Sequence, residues 1–401
     1  MKQRLFAVFA LLTIVAALAA PAAAQDSPEG NLLGGCVEEY DPNVDYFPDK
    51  VTVDYAEGFT VEYFANYKVI DVLAPWPGAE DAFQYVLVQC GTPAPEGYDD
   101  AQVVEVPIDS TITLTTTQLP HMVELGVLDA LVGVDTIMWT NTAEVIEKYD
   151  AGELAEVGNG AEINVEMVLD AEPDIVMASG SGLPDYDAHP VLLEAGIPVA
   201  LNAEWVEELP LGRAEWIKFT AAFFNAEAAA NAVFDEVAAN YEAIAALTAD
   251  IPLEGRPRVF ANTPWEGTWY VPGGSSYGAR FLADAGANYL WADDDSATSL
   301  YLDFETVFVE AADADFWINT GSFNSLNEML ADDERFVSFI AFQNDRVYNN
   351  NARVNESGGS DYWESGTMRP DLILADLVKI FYPELVPEHE FVYYQQLKLA
   401  E

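Results

Sequence analysis

Residues 211–247 read LGRAEWIKFTAAFFNAEAAANAVFDEVAANYEAIAAL, and this stretch decides the fold. Its larger apolar residues and alanines fall at Trp216, Phe219, Phe223, Ala226, Ala230, Phe234, Val237, Tyr241 and Ile244, at intervals of three and four throughout. That spacing puts one apolar stripe on a 3.6-residue helix. Pro210 precedes the stretch, no proline interrupts it, and Gly212 is its single glycine. At 1.5 Å per residue such a helix extends about 50 Å, longer than one small lobe is wide. The spacing therefore predicts a helix over about 209–248 that bridges two bodies. Two consecutive helices broken near Asn225 are the alternative.

The flanks have the same character on both sides. From Val103 onward, short apolar runs alternate with helical stretches, the pattern of βαβ units and a parallel sheet. Strands are expected at 112–115, 130–135, 174–178 and 197–202, with helices at 119–125 and 164–170. After Pro252 the alternation resumes. Strands are expected at 258–261, 316–319 and 346–349, and helices at 276–285, 304–311, 325–331 and 370–381. The fold class expected is α/β: two α/β lobes, 106–208 and 249–401, joined by one long rigid α-helix with a ligand cleft between them. In open parallel sheets ligands lie beyond the carboxyl ends of the strands, so facing lobes would line the cleft with post-strand loops. Residues 25–105 form an N-terminal extension whose alternating segments, 59–72 and 83–89, read as a small antiparallel β element.

The 401 residues carry 68 Asp+Glu against 16 Lys+Arg, a formal net charge of -52, yet 51% are hydrophobic and 12% aromatic. Disordered acidic chains are poor in aromatics, so this one is globular. Its charge opposes binding to nucleic acid or anionic lipid, which depends on Lys and Arg displacing counterions. Lys2 and Arg4 precede an apolar stretch from Leu5 to Ala20 and the small residues Pro21-Ala22-Ala23-Ala24. Residues 1–24 thus read as a cleavable signal peptide rather than a membrane anchor, the run being shorter than the ~20 residues of a spanning helix. The expected location is exported, periplasmic or extracytoplasmic. Cys36 and Cys90 are the two cysteines, and in an oxidising compartment they are disulfide candidates. Two buried thiols, or lipidation of Cys36 in Leu33-Gly34-Gly35-Cys36, are the alternatives.

Several short motifs then occur in a fixed order. Val106-Pro107 precedes Ile112-Thr113-Leu114, Leu125-Gly126 and Leu131-Val132-Gly133-Val134. Asn164-Val165-Glu166 is followed by Glu172-Pro173-Asp174-Ile175-Val176, Leu211-Gly212-Arg213 opens the long helix, and Phe281-Leu282-Ala283-Asp284-Ala285-Gly286-Ala287 lies beyond it. Together, from about Val106 to Leu385, they resemble the exported substrate-binding proteins of ATP-driven (ABC) importers for ferric siderophores, haem and cobalamin. The resemblance implies a bilobed monomer with little hinge motion and no intrinsic cofactor. Its ligand would be a small-molecule metal chelate, here a ferric chelate, delivered to ABC permease subunits through which the protein is held at the membrane. It further implies one permease-docking glutamate per lobe, at positions matched by Glu166 and Glu305. Each is also explained as an acid favoured by a helix N-terminus.

A large, flat or polyoxygenated ligand directs attention to aromatic and cationic groups in post-strand loops. Trp265, Trp269 and Tyr270 follow the strand ending at Ala261, and Pro272-Gly273-Gly274 could let backbone approach a ligand. In the first lobe Thr116, Trp139 and Ser181 hold comparable places. Arg353 stands out where cations are scarce, as a partner for an anionic chelate, and Tyr362 and Trp363 follow it. Core packing for the aromatics and a carboxylate partner for Arg353 are the structural alternatives. The histidines are His121, His189 and His389. Two of them could face the cleft, too few for a bare-metal site, so none is expected. No His-Glu-x-x-His signature supports the contrasting class, an exported hydrolase.

Overall fold

Alternation at 59–72 folds as a hairpin in which β1 (Phe59–Tyr63) and β2 (Tyr67–Val72) pair antiparallel, Phe59 opposite Val72 and Tyr63 opposite Lys68. β3 (Phe83–Gln89) continues it antiparallel, while β4 (Gln102–Val106) joins parallel to β3. The computed structural model describes residues 29–79 and 82–399, so the signal peptide expected at 1–24 lies outside the described residues. Within the extension Cys36 and Cys90 are joined as a disulfide, with Cα atoms 4.7 Å apart. A bonded Cys36 has no free thiol for lipid.

The first lobe contains β5 (Thr111–Thr113), α1 (Leu119–Glu124), β6 (Leu131–Val134), α2 (Ala143–Asp150), β7 (Ala155–Glu156), α3 (Val165–Asp170), β8 (Ile175–Ala178), α4 (His189–Glu194) and β9 (Val199–Leu201). Its strands lie in the order β7-β6-β5-β8-β9 and all pair parallel. Ile175, Val176, Met177 and Ala178 are all buried, as expected of a parallel strand covered on both faces. The N-terminal extension closes one edge. The Gln102 side chain donates to the Val199 carbonyl and accepts from the Val199 N–H, both at 2.9 Å, which satisfies groups that an edge strand leaves open.

The connector is helical but not one rod. It comprises α5 (Pro210–Glu215), α6 (Ile217–Phe223) and α7 (Glu227–Ala246). Asn225 breaks it at φ 56°, a left-handed conformation that asparagine tolerates better than most residues at a helix end. The Ala226 N–H reaches back to the Ala221 carbonyl, and the Asn225 amide donates to Leu32 O and Gln89 Oε1. The expected single helix over 209–248 is therefore corrected to three segments, the longest of 20 residues. Residues 210–223 are buried on every side, because the N-terminal extension wraps them. Phe59 packs on Trp216, with ring centroids 4.6 Å apart, and Tyr85 on Phe219 and Phe223. One apolar core runs from the extension through α5–α7 into the second lobe.

The second lobe begins with β10 (Arg258–Ala261), β11 (Pro264–Trp265), β12 (Thr268–Pro272), α8 (Tyr277–Asp284), β13 (Asn288–Tyr289), β14 (Ser299–Leu302) and α9 (Phe304–Ala311). It continues through β15 (Phe316–Ile318), α10 (Leu326–Asp332), α11 (Ile340–Gln343), β16 (Val347–Asn349), α12 (Ser365–Met368), α13 (Pro370–Phe381) and β17 (Gln395–Gln396). Its main sheet has the order β13-β10-β15-β16-β17, parallel except for β17. β11, β12 and β14 form a separate antiparallel sheet. α13 lies along α7 and fastens this lobe to the connector.

Candidate functional site

Four strands deliver an asparagine at or just past their carboxyl ends: Asn202 after β9, Asn262 after β10, Asn319 after β15 and Asn349 at the end of β16. Asn262 and Asn319 are left-handed, φ 66° and 56°, so each chain turns sharply out of its strand. Beyond these turns lies a cleft of about 1080 Å³. The first lobe lines it with Trp205, Val206, Glu207 and Glu208 and the connector with Arg213. The second lobe contributes Asn262, Tyr277, Asn319, Asn324, Asn350, Asn351, Tyr362 and Trp363 among others. The cleft thus sits at the strand ends of an α/β architecture.

Its polar groups are mostly neutral. The Asn319 Oδ1 accepts from the Tyr394 hydroxyl at 2.8 Å, and the Asn351 amide donates to Asn324 Oδ1 at 3.0 Å. The Tyr277 hydroxyl is buried and has no protein partner among the described residues. Burial pushes its pKa up to about 12, so it is a neutral donor. Arg213 is bound by Glu204, with Nε 2.7 Å from Oε2, and its guanidinium lies 4.5 Å from the Tyr277 ring centre. Glu207 accepts from the N–H of Gly58 and from Trp216 Nε1, both at 2.9 Å.

Of the residues singled out from sequence, Tyr362 and Trp363 line this cleft, their rings edge-to-face at 4.7 Å. Trp269 does not: it is fully buried, donates from Nε1 to Ala261 O, and packs among Phe260, Trp317 and Phe339. Along β12 the side chains alternate, so Trp269 enters the core while Tyr270 faces out beside Tyr301, 5.2 Å away. Trp265 is exposed on the same small sheet. Ser181 donates to Asp187 Oδ1 at 2.8 Å, and Trp76 roofs its loop so closely that a Cβ at Gly182 would lie 2.7 Å from the indole. Thr116 stands in a 3₁₀ turn beside α12. None of Trp265, Trp269, Tyr270, Ser181 and Thr116 lines the cleft.

Arg353 is corrected as well. It is half-exposed, bound to Asp361 at 3.1 Å, and absent from the cleft lining. Its carboxylate partner, eight positions downstream, satisfies the charge that a ligand was expected to meet. Trp139 instead marks an interlobe contact. A Cβ on Gly359 would stand 2.3 Å from the Trp139 carbonyl, so only glycine allows this approach. Sequence reasoning missed Trp205, Tyr277, Asn262 and Asn319, although Ala261-Asn262 and Ile318-Asn319 were a visible signal.

Glu166 and Glu305 are both exposed second residues of helices whose N-caps are alike. Asn164 Oδ1 accepts from the Met167 N–H in α3, and Asp303 Oδ1 from the Thr306 N–H in α9. Arg335 lies 3.8 Å from Glu305. The histidines are dispersed. His121 is buried, its Nδ1 3.0 Å from Thr220 Oγ1, and burial lowers its pKa to about 3. His189 stacks on Trp76, and His389 meets Asp376 at 2.6 Å. Among the described residues no His, Cys, Asp and Glu cluster is placed to hold a metal ion, and no helix is long and apolar enough to cross a membrane.

Comparison with known proteins returns a family model described as "periplasmic binding protein", matching residues 111–354. Two uncharacterized lipoproteins of Methanocaldococcus jannaschii are similar in sequence. One is 27% identical over 298 residues, 71% of this chain and 68% of its own. The other is 26% identical over 334 residues, 79% of this chain and 80% of its own. Among solved structures, a possible iron-binding (periplasmic solute-binding) protein of Staphylococcus epidermidis superposes with a TM-score of 0.54 at 18% identity, covering 69% of this chain and 99% of that one. The periplasmic heme-binding protein RhuT of Roseiflexus superposes at 0.50 and 18%, covering 69% and 99%.

Proposed function

The chain belongs to the periplasmic binding protein family, and from that premise we propose that it captures an iron(III) chelate of the siderophore type and delivers it to a membrane permease. It is an extracytoplasmic solute-binding component of an ABC importer, not an enzyme. The observation that carries the ligand reading is the cleft itself. About 1080 Å³ walled by Trp205, Tyr277, Tyr362 and Trp363 and floored by asparagine amides suits a bulky, oxygen-covered complex better than a bare ion or small metabolite. In this reading Glu166 and Glu305 present carboxylates to permease arginines, which bind them bidentately.

Trp363 and Trp205 report on the cleft. Titration of the purified mature protein with ferric siderophores, haem and cobalamin, followed by tryptophan fluorescence, tests the reading. Saturable quenching by a ferric siderophore, lost on Trp363→Ala, is expected. Quenching by cobalamin or haem alone would replace the iron chelate with that ligand.

A further inference from the structure

We propose that the cleft selects iron(III) chelates bearing no net negative charge and rejects polyanionic ones. This rests on the ferric-chelate reading above and narrows it. Three of the lining residues are charged: Glu207, Glu208 and Arg213. Arg213 is already engaged by Glu204, Glu207 by backbone N–H groups and Trp216, and Glu208 is exposed. The lining thus sums to one negative charge and offers no unpaired cation. Arg353, the nearest guanidinium in sequence to the lining loop, is held outside by Asp361.

What the cleft offers instead is neutral donors. Asn319 has its Oδ1 occupied by Tyr394, which leaves its N–H₂ for a ligand. Among the described residues the side-chain amide of Asn350, which lines the cleft, has no protein partner. Such groups match the oxygens of a complex in which three singly charged bidentate ligands neutralise Fe³⁺. Three doubly charged catecholates leave the complex at 3−. Moving that charge out of water, with no cation to meet it, is strongly unfavourable. The effect is local. At about 0.15 M salt charges beyond roughly 8 Å are screened, so the general acidity of the surface adds little, and added salt does not remove the discrimination.

The test uses the whole mature chain, iron-free, titrated calorimetrically and by fluorescence with a neutral ferric trihydroxamate and a ferric tricatecholate. The neutral complex should bind at least about 100-fold tighter, since unmatched like charge costs several kcal/mol. Most of that ratio should persist between about 0.15 M and 2 M NaCl. Asn350→Lys, at a partly exposed position, should shift the ratio about tenfold toward the tricatecholate. Equal or tighter binding of the tricatecholate, or a ratio that Asn350→Lys leaves unmoved, would overturn the charge rule while leaving the ferric reading intact. Binding of neither ferric complex would remove both.

Discussion

Glu364 of the second lobe caps the first lobe's α2 at Thr142, its Oε1 accepting from the Thr142 N–H at 2.7 Å and from the Thr142 hydroxyl at 2.5 Å. Its other oxygen accepts from the Asn141 N–H at 2.7 Å. Thr142 makes no cap bond of its own, and Glu364 supplies across the lobe boundary the acceptor for the N-cap N–H that a capping-box acid usually provides from within the helix. Nearby, the Asn355 amide donates to the carbonyls of Met138 and Thr140. These contacts fasten the lobes together close to the cleft, independently of the connector.

Removing this latch should loosen the lobes. Glu364→Ala leaves partly buried N–H groups unpaired and is expected to cost about 1–3 kcal/mol in urea denaturation. Burial raises the Glu364 pKa, against its hydrogen bonds, which lower it. A carboxyl whose pKa is higher folded than unfolded makes stability fall as pH rises between those two values. The melting temperature of the native protein should therefore decline with pH above the ordinary carboxylate range relative to Glu364→Gln. Parallel pH profiles would refute the assignment.

The N-terminal extension is tied to the connector by charges removed from water. Lys68 and Glu227 form an ion pair with no exposure on either side, and Glu227 also accepts from Asn31 at 2.8 Å. Lys68→Met should cost about 3–5 kcal/mol, because it strands Glu227 in the core, whereas Lys68→Met with Glu227→Leu should recover much of the loss. Denaturant midpoints of the two variants decide it. Equal losses would mean that the pair's partners, rather than its uncompensated charge, set the cost.

Where the sequence was legible, the reason is periodicity. The apolar runs at 258–261 and 370–381 became β10 and α13 with those bounds, because turn residues delimit them. The break at Asn225 was not decided by the same signal, since Phe223, Ala226 and Ala230 keep their spacing across the turn and all remain buried. Trp269 was misplaced because 268–272 was read as a loop. Read as an alternating strand, it sends Trp269 inward and Tyr270 outward. The Arg353–Asp361 pairing and the latch at Glu364 depend on three-dimensional proximity, which no spacing along the chain encodes.

The two tryptophans offer a direct contrast. Trp269→Ala removes a fully buried indole and should cost about 3–5 kcal/mol of stability. Trp363, half-exposed on the cleft wall, should change stability by only about 0.5 kcal/mol when replaced by alanine, yet weaken chelate binding. Thermal melts paired with ligand titrations separate the roles. A Trp363→Ala protein with undiminished affinity would move the aromatic wall of the site elsewhere.

Glu166 and Glu305 combine exposure, a helix N-terminus and a matching Asx cap on opposite lobes. A carboxylate held there projects without being consumed by the fold, apart from the loose 3.8 Å approach of Arg335 to Glu305. Charge steering between such groups and arginines governs encounter and orientation more than it governs stability. The double variant Glu166→Lys with Glu305→Lys should therefore melt near the parent and bind its chelate within about twofold. It should nevertheless fail to support uptake through the permease. Each single variant should lie between, since one intact contact still orients the complex. Transport measured with chelate saturating the binding protein isolates docking from capture. Unimpaired transport by the double variant would show that these acids serve only their own helix ends.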